Sequence, residues 1–130
     1  MKRLLPNEFE ILDAYIQVLP GKDYSPFAPF LSIAININVA TKAHRDSMDK
    51  SICLVLTLSK AQGGGIALHE PGIVVDMENG DIVIFRSSEI THFNLHYTGL
   101  RASIVLHSDK GFDRWVASKN NWQNNIYFIN

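Results

Sequence analysis

The stretch Leu31-Ser32-Ile33-Ala34-Ile35-Asn36-Ile37-Asn38-Val39 alternates between large aliphatic side chains and small or polar ones. Successive side chains of an extended chain point to opposite faces, so a period of two predicts a β-strand. One face of this strand carries isoleucine and valine, and the other carries serine, alanine and asparagine. The stretch therefore predicts a strand with one aliphatic face and one small, polar face.

Six further segments after this strand have the composition of short strands, and turn signals separate them. A glycine triplet at 63–65 and the tripeptides Glu-Pro-Gly and Glu-Asn-Gly mark turns, and the run 97–99 predicts a tight connection. The connections are too short for crossover helices, which favours an antiparallel sandwich or barrel. The nearly continuous apolar run 52–58 predicts a strand buried on both faces, and residues 126–129 could add an eighth strand. The six predicted strands cover residues 52–58, 66–69, 73–76, 81–86, 92–95 and 100–107.

Helices are predicted on both sides of this all-β core. Apolar residues at spacings of three and four, from Phe9 to Leu19, predict an N-terminal amphipathic helix with Asn7 as its N-cap and Pro20-Gly21 at its end. Residues 112–119 predict a short helix. We interpret the chain as one domain over 1–130, with an N-terminal helix and loop (1–30), a β-barrel core (31–110) and a C-terminal segment (111–130).

The composition is that of a globular protein with a hydrophobic core. Of 130 residues, 46% are hydrophobic and 19% are charged, and 12 basic against 13 acidic residues give a net charge of −1. A dedicated nucleic-acid binder usually has a basic excess, which this chain lacks. A single cysteine, Cys53, excludes an internal disulfide framework, and we expect it to be a small buried hydrophobe. We expect an intracellular protein of a reducing compartment, nucleus or cytoplasm, without a membrane span.

One constellation of polar residues points to metal chemistry. On extended backbone His44 and Asp46 point the same way, so they can converge on one metal. His92 opens a predicted strand, and Arg101 follows it by nine residues on the next strand, with Ser103 on the same face. Two histidines and a carboxylate form the facial triad that holds non-haem Fe(II) and leaves coordination positions open. The planar fork of an arginine suits a distant carboxylate of a chelating cosubstrate.

The pattern His44-Arg45-Asp46, His92 and Arg101-Ala102-Ser103 resembles that of the Fe(II)- and 2-oxoglutarate-dependent dioxygenases. Over 63–92 the chain most resembles the fungal branch of the ten-eleven-translocation/J-binding-protein oxygenases. The resemblance implies a double-stranded β-helix, a jelly-roll or cupin-like barrel, over about 31–110. It implies that Fe(II), 2-oxoglutarate and O₂ take part, with ascorbate in support.

The same resemblance assigns roles residue by residue. It implies that His44, Asp46 and His92 are iron ligands and that Arg101, assisted by Ser103, binds the far carboxylate of 2-oxoglutarate. With Arg101, the three ligands make the catalytic set. Two further residues, Asn36 and Asn38, are expected to face inward and to hydrogen-bond the cosubstrate.

The substrate stays open between several classes. The resemblance implies oxidation of a C–H bond, with the methyl group of 5-methylcytosine or thymine in DNA or RNA as the first candidate. A cationic rim of Lys42, Arg45 and Lys50 would support nucleic-acid binding, although a solvated loop is the plainer explanation of these residues. The spacing of nine residues from His92 to Arg101 also resembles that of the prolyl hydroxylases, so a prolyl, protein or small-molecule hydroxylase is an alternative. Two alternatives are a non-catalytic β-barrel that serves as a binding module and a cupin-like metalloenzyme without a cosubstrate.

The remaining histidines and the tryptophans have plainer interpretations. We expect His69 to cap a turn and His96 to lie on the surface, while His107 shares the face of Arg101 and could lie near the cosubstrate. Trp115 and Trp122 are interpreted as packing anchors of the C-terminal segment.

Overall fold

The computed structural model describes residues 1–19, 23 and 25–118, and these fold into nine strands with a helix at each end. The predicted all-β core with flanking helices is confirmed at this level. In chain order the elements are α1 (Pro6–Gln17), β1 (Ser32–Ile37), β2 (Cys53–Ser59), β3 (Gln62–Gly63), β4 (Ile66–Leu68), β5 (Ile73–Val75), β6 (Ile82–Phe85), β7 (His92–Asn94), β8 (Tyr97–Thr98), β9 (Arg101–His107) and α2 (Phe112–Ser118).

The described strands form three antiparallel sheets. The largest has the order β1-β9-β2-β6, the second has the order β5-β4-β7, and β3 pairs with β8. The pairing of β3 with β8 corrects the expectation that residues 97–99 are only a tight connection. Two residues there are extended and pair with Gln62 and Gly63, beyond the Ser59–Arg101 end of the β2–β9 pairing.

The alternation that predicts β1 is confirmed, and its aliphatic face points away from the interior. Ile33, Ile35 and Ile37 are 41–64% exposed, whereas Ala34 and Asn36 line an internal cavity. The strand ends before the predicted Val39, because Asn38 adopts a left-handed backbone conformation with φ of 50°. The inner face of the largest sheet is thus its small and polar face.

Helix α1 packs on the outer face of the largest sheet, at one end. Leu12 is fully buried, and Phe30 and Ile52 pack with it against strand residues Leu54, Ile84 and Leu106. The expected N-cap at Asn7 is wrong: the helix begins at Pro6, after Leu5, with no side-chain cap. Proline has no N–H to satisfy and its φ already suits a helix, so it starts the first turn one residue earlier.

A second apolar cluster fills the space inside the strands. It contains Cys53, Ile66, Leu68, Met77 and Phe85, which come from both of the larger sheets and the turn before β6. The expectation that 52–58 is buried on both faces holds only in part. Cys53 and Thr57 point inward and are buried, but Leu58 points outward beyond the reach of α1 and is 43% exposed.

The predicted C-terminal helix is confirmed over Phe112–Ser118, and its partly buried Trp115 lies on it. Helix α2 contacts α1, because the Tyr15 hydroxyl donates a hydrogen bond to Asp113 and Lys50 bonds the same carboxylate. The predictions for residues 126–129 and Trp122 lie outside the described residues. Neither described helix is long and apolar enough to cross a membrane.

Candidate metal and cosubstrate site

Two histidines and an aspartate come together at the edge between β7 and the loop after β1. His44 and His92 exchange backbone hydrogen bonds as an isolated bridge, with N···O distances of 3.1 and 2.9 Å. The backbone N–H of Asp46 donates to the carbonyl of Ser87, which fixes the loop on its other side. This backbone pairing places His44 beside His92, with ring centroids 4.5 Å apart, although 48 residues separate them in the sequence.

The three side chains converge on one point. The Asp46 carboxylate oxygens lie 3.6 Å from His44 Nε2 and 3.3 Å from His92 Nε2, and ligand atoms of all three residues lie within 4.8 Å of one another. His92 is buried, while His44 and Asp46 are partly exposed. Such spacing is suitable for a single metal ion with an open side. His69 and His96 are exposed and lie outside this group.

Backbone carbonyls set the tautomer of both histidines. His44 Nδ1 lies 2.7 Å from the carbonyl of Lys42, and His92 Nδ1 lies 2.9 Å from that of Ile90. A carbonyl only accepts, so each Nδ1 donates its proton to that carbonyl, and each Nε2 lies on the opposite side of its ring. Both Nε2 atoms face Asp46. This is the usual arrangement of metal-binding histidines, whose second nitrogen donates to a carbonyl or carboxylate.

An ion-paired brace, formed by Arg45, Glu70 and Thr91, connects the two segments that carry the histidines. Glu70 accepts from Arg45 Nη2 at 2.5 Å, and from the Thr91 backbone N–H and hydroxyl at 2.6 and 2.7 Å. Arg45 Nε also donates to the Thr91 hydroxyl at 3.0 Å. The hydrogen bonds from Arg45 and then Thr91 lower the pKa of Glu70 from 4.5 to about 2. The brace thus holds residues adjacent to His44, Asp46 and His92.

Arg101 lies at the start of β9 and is 5% exposed, with its Nε buried and without a hydrogen-bond partner. Its guanidinium lies 5.6 Å from the centre of the Tyr97 ring. Gly64, with φ of 82°, leaves room for it: a Cβ there would lie 3.1 Å from Arg101 Nε. A buried cation with an unused donor suits an anionic ligand.

The structure separates the two asparagines that the sequence groups together. Asn36 lines the cavity, and its Nδ2 lies 3.5 Å from the hydroxyl of buried Ser103. Asn38 is exposed and does not line the cavity; instead its Oδ1 accepts from the backbone N–H of Arg101 at 3.0 Å. The left-handed turn at Asn38 breaks the period of two, so the expectation that both asparagines face inward is wrong for Asn38.

One cavity of about 280 Å³ joins all of these inward-facing groups. Strand residues of both larger sheets contribute to its wall, so it lies between the sheets. The predicted site residues in its wall are His44, Asp46, His92, Arg101, Ser103 and Asn36.

Residues that the sequence-based prediction did not assign lie elsewhere in this wall. Asp49 is 7% exposed; its Oδ2 accepts from the hydroxyl of fully buried Ser87 at 2.6 Å, and its Oδ1 lies 3.1 Å from His107 Nδ1. The expectation that His107 faces the same space as Arg101 agrees with its place in the wall. The sequence signal for Asp49 is that it lies three residues after Asp46. That position alone does not distinguish a residue of the cavity wall from one in a solvated loop.

Cys53 also lines the cavity, but its thiol is not ionised at neutral pH. It is 1% exposed, and burial raises the pKa of its thiol from 9.0 to about 12. This confirms the expected small buried hydrophobe.

Known proteins were compared with the chain in sequence and in structure. No family model matches it, and no curated protein matches its sequence. Among solved structures it is similar to NgTET1 in complex with 5mC DNA, with a TM-score of 0.66 and 22% sequence identity. The similarity covers 76% of this chain and 42% of the NgTET1 chain, so the chain spans less than half the length of that protein. The cavity and its polar wall therefore lie in a β-rich core whose fold is similar to that of NgTET1.

Proposed function

We propose that this chain is an Fe(II)- and 2-oxoglutarate-dependent oxygenase that oxidises the methyl group of 5-methylcytosine in nucleic acid. One observation carries the proposal: a His-Asp-His group and a buried arginine with an unused donor line the same cavity. A structural barrel has no need for both features, because leaving the buried Arg101 Nε without a partner costs free energy that a bound anion would recover.

The donor set fits the iron. His44 Nε2, His92 Nε2 and one Asp46 oxygen supply two nitrogens and one oxygen, the set that holds non-haem Fe(II) and leaves positions open. Because backbone carbonyls hold both Nδ1 atoms, each histidine presents its Nε2 to the metal. Iron, when bound with 2-oxoglutarate and O₂, supplies the oxidation of a substrate C–H bond coupled to decarboxylation of the cosubstrate.

Arg101 and Ser103 fit the far end of the cosubstrate. A carboxylate beside Arg101 would satisfy the orphan Nε and neutralise a buried charge, and the Ser103 hydroxyl faces the same space. Asn36 lies next to Ser103 and orients its hydroxyl. These residues hold the cosubstrate in one orientation toward the metal group and exclude water from that end of the cavity.

Asp49 and His107 give the remaining wall a chemistry that suits cytosine. A carboxylate accepts from the exocyclic amine of cytosine, and a histidine next to it can bond the ring nitrogen or the 2-oxo group. Thymine presents an acceptor where cytosine presents the amine, so Asp49 disfavours it. Ser87 holds Asp49 in place from the buried side. The structural neighbour NgTET1, solved with 5mC DNA, supports this choice of substrate.

The charges around the cavity favour a single-stranded or easily extruded base. Of the three cations expected in a rim, Arg45 pairs with Glu70 and Lys50 pairs with Asp113, which leaves Lys42 exposed. Two of these three cations are thus held by carboxylates, which makes them less available to a duplex backbone. A base must also leave the stack to enter a cavity, which costs least in a single strand.

The proposal includes the architecture that the site requires. We infer that the four-stranded and three-stranded sheets are the two walls of a double-stranded β-helix, and that residues 1–130 act as one domain. The cavity between the two sheets supports this, as does the similarity of fold to NgTET1.

The test is turnover on defined oligonucleotides. The protein, loaded with Fe(II) and 2-oxoglutarate, is incubated with single-stranded DNA containing 5-methylcytosine, thymine only or unmodified cytosine, and with proline-containing peptides. We expect an oxidised base, detected by mass spectrometry, only from 5-methylcytosine. Oxidation of a peptide alone would overturn the choice of substrate.

A matched pair of variants tests the base-recognition step. Asp49→Ala is expected to lower turnover of 5-methylcytosine by at least about tenfold, since it removes the acceptor for the amine. Asp13→Ala on α1, whose carboxylate bonds only to Gln17 among the described contacts, serves as the control. Equal turnover by the two variants would show that Asp49 does not recognise the base.

A further inference from the structure

The outer face of the four-stranded sheet is aliphatic in every row that crosses it. The strand registers place Ile33, Leu106, Leu54 and Ile84 side by side in one row, with Ile35, Ile104, Leu56 and Ile82 in the next. Ile37, Ala102 and Leu58 form the third row. In a sheet with one face in water, that face normally carries polar residues, and these three rows carry none.

Among the described residues, the cluster that contains Leu12 of α1 covers part of the first row and does not reach the other two. Leu54, Ile84 and Leu106 pack against the cluster that contains Leu12 of α1. In the other two rows, Ile35, Ile37, Leu58 and Ile82 remain 43–64% exposed. These two rows, which we call the open face, lie on the side of the sheet opposite the cavity, because Ala34 and Asn36 point the other way.

The open face is large and uncharged. Together with Ile33 it offers roughly 600 Å² of apolar surface, at the upper end of the largest patch on a typical monomer. Two such faces would bury about 1,200 Å², which is the lower end of specific protein interfaces. None of the residues in its rows carries a charge, so nothing on this face complements a phosphate backbone or a charged peptide.

We propose that the open face binds the same face of a second copy of this chain. Two flat aliphatic sheets can pack about 10 Å apart, as in a β-sandwich, and a twofold axis lets each row meet its equivalent. The neutral face matches itself, and the area that two such faces would bury is enough for a specific dimer. The dimer leaves the cavity of each copy accessible, since the cavity opens on the other side of the sheet.

Sedimentation equilibrium of the full chain tests the dimer. We expect the mass to rise from one chain to two over micromolar concentrations. Ile35→Glu should raise the dissociation constant at least tenfold, and Ile82→Lys, at the far end of the same row, should do the same if Ile35→Glu does not fold. Val74→Glu, at a 59% exposed position on β5 of the other sheet, is the matched control and should leave the dimer intact. Far-UV circular dichroism checks that each variant is folded.

Two results would overturn the proposal. A wild-type chain of monomer mass up to hundreds of micromolar would mean that the face is covered within the chain or by a different partner. A dimer that both folded charge variants leave intact would place the interface elsewhere.

Discussion

At the scale of single residues, the space around Arg101 decides whether the cavity can hold an anion. Gly64 is the close neighbour that makes this space, with a positive φ and with Arg101 Nε 3.1 Å from where a Cβ would lie. We predict that Gly64→Ala weakens 2-oxoglutarate binding by about tenfold, because the methyl group displaces the guanidinium. Isothermal titration of the Fe(II)-loaded protein measures the change.

Gly72 provides the matched control for this prediction. It also has a positive φ, 67°, but a Cβ there would meet nothing within 4 Å. Both alanine variants therefore carry a similar backbone strain of about 1 kcal/mol, and only one of them touches Arg101. If Gly72→Ala weakens 2-oxoglutarate binding as much as Gly64→Ala does, backbone strain and not the contact with Arg101 is the cause.

Cys53 gives a second prediction at this scale. Burial raises the pKa of its thiol to about 12, so at pH 8 hardly any of it is the reactive thiolate. We predict that iodoacetamide alkylates the folded protein at least a hundredfold more slowly than the protein unfolded in guanidinium chloride. Mass spectrometry follows the reaction. Similar rates in the two states would mean that Cys53 is accessible in the folded chain.

Single residues also show where prediction from the sequence stops. The residue types and spacing indicate His44, Asp46, His92 and Arg101 as one group, because a metal and a carboxylate need those donors. Asn36 and Asn38 both fall on the polar positions of the period-two pattern. Asn38 nevertheless does not face the cavity, because its positive φ ends the strand, and periodicity does not predict a positive φ.

At the scale of elements, the brace of Arg45, Glu70 and Thr91 ties the loop after β1 to β7 through the turn between β4 and β5. We predict that Glu70→Gln weakens Fe(II) binding by about tenfold, which is typical when support of metal ligands is lost. A competition titration with a chelator measures it. Glu78→Gln, at an exposed turn position, is the control, and equal affinities for the two variants would refute a role for the brace.

The same brace predicts a pH dependence of stability. The pKa of Glu70 is lower in the folded chain than its usual 4.5, so its ionised form is favoured by folding. The contribution is complete above about pH 4.5 and is lost as the pH falls to about 2. We expect the thermal midpoints of the wild type and Glu70→Gln to differ at pH 6 and to converge by pH 2. A constant difference over this range would contradict the assignment.

The elements themselves were predictable where local chemistry decides them. Strand β1 and helix α1 follow from periodicity, whereas the pairing of β8 with β3 depends on contacts between residues 34 and 36 positions apart. The outward direction of the isoleucines in β1 also escapes a local argument. It follows from the polar cavity on the other side, which demands Asn36 and Ser103 there.

At the scale of the whole molecule, the site depends on three segments that meet only in the folded chain. These segments are β7, β9 and the loop that follows β1. They bring the His-Asp-His group and Arg101 to one cavity between two sheets. Turn signals and strand lengths predict a β-rich core, but they do not predict which strands are neighbours. That the chain forms one domain over 1–130 stays a prediction.

The central claim is that this cavity holds Fe(II) and 2-oxoglutarate together. Anaerobic addition of Fe(II) and then 2-oxoglutarate should produce a visible metal-to-ligand charge-transfer band in the wild type. Asp46→Ala should abolish the band through loss of metal, and Arg101→Ala should require far more 2-oxoglutarate while keeping the metal, with Asp13→Ala as the unaffected control. A folded, iron-loaded wild type without the band, or an Asp46→Ala variant that binds Fe(II) as tightly as the wild type, would contradict the account.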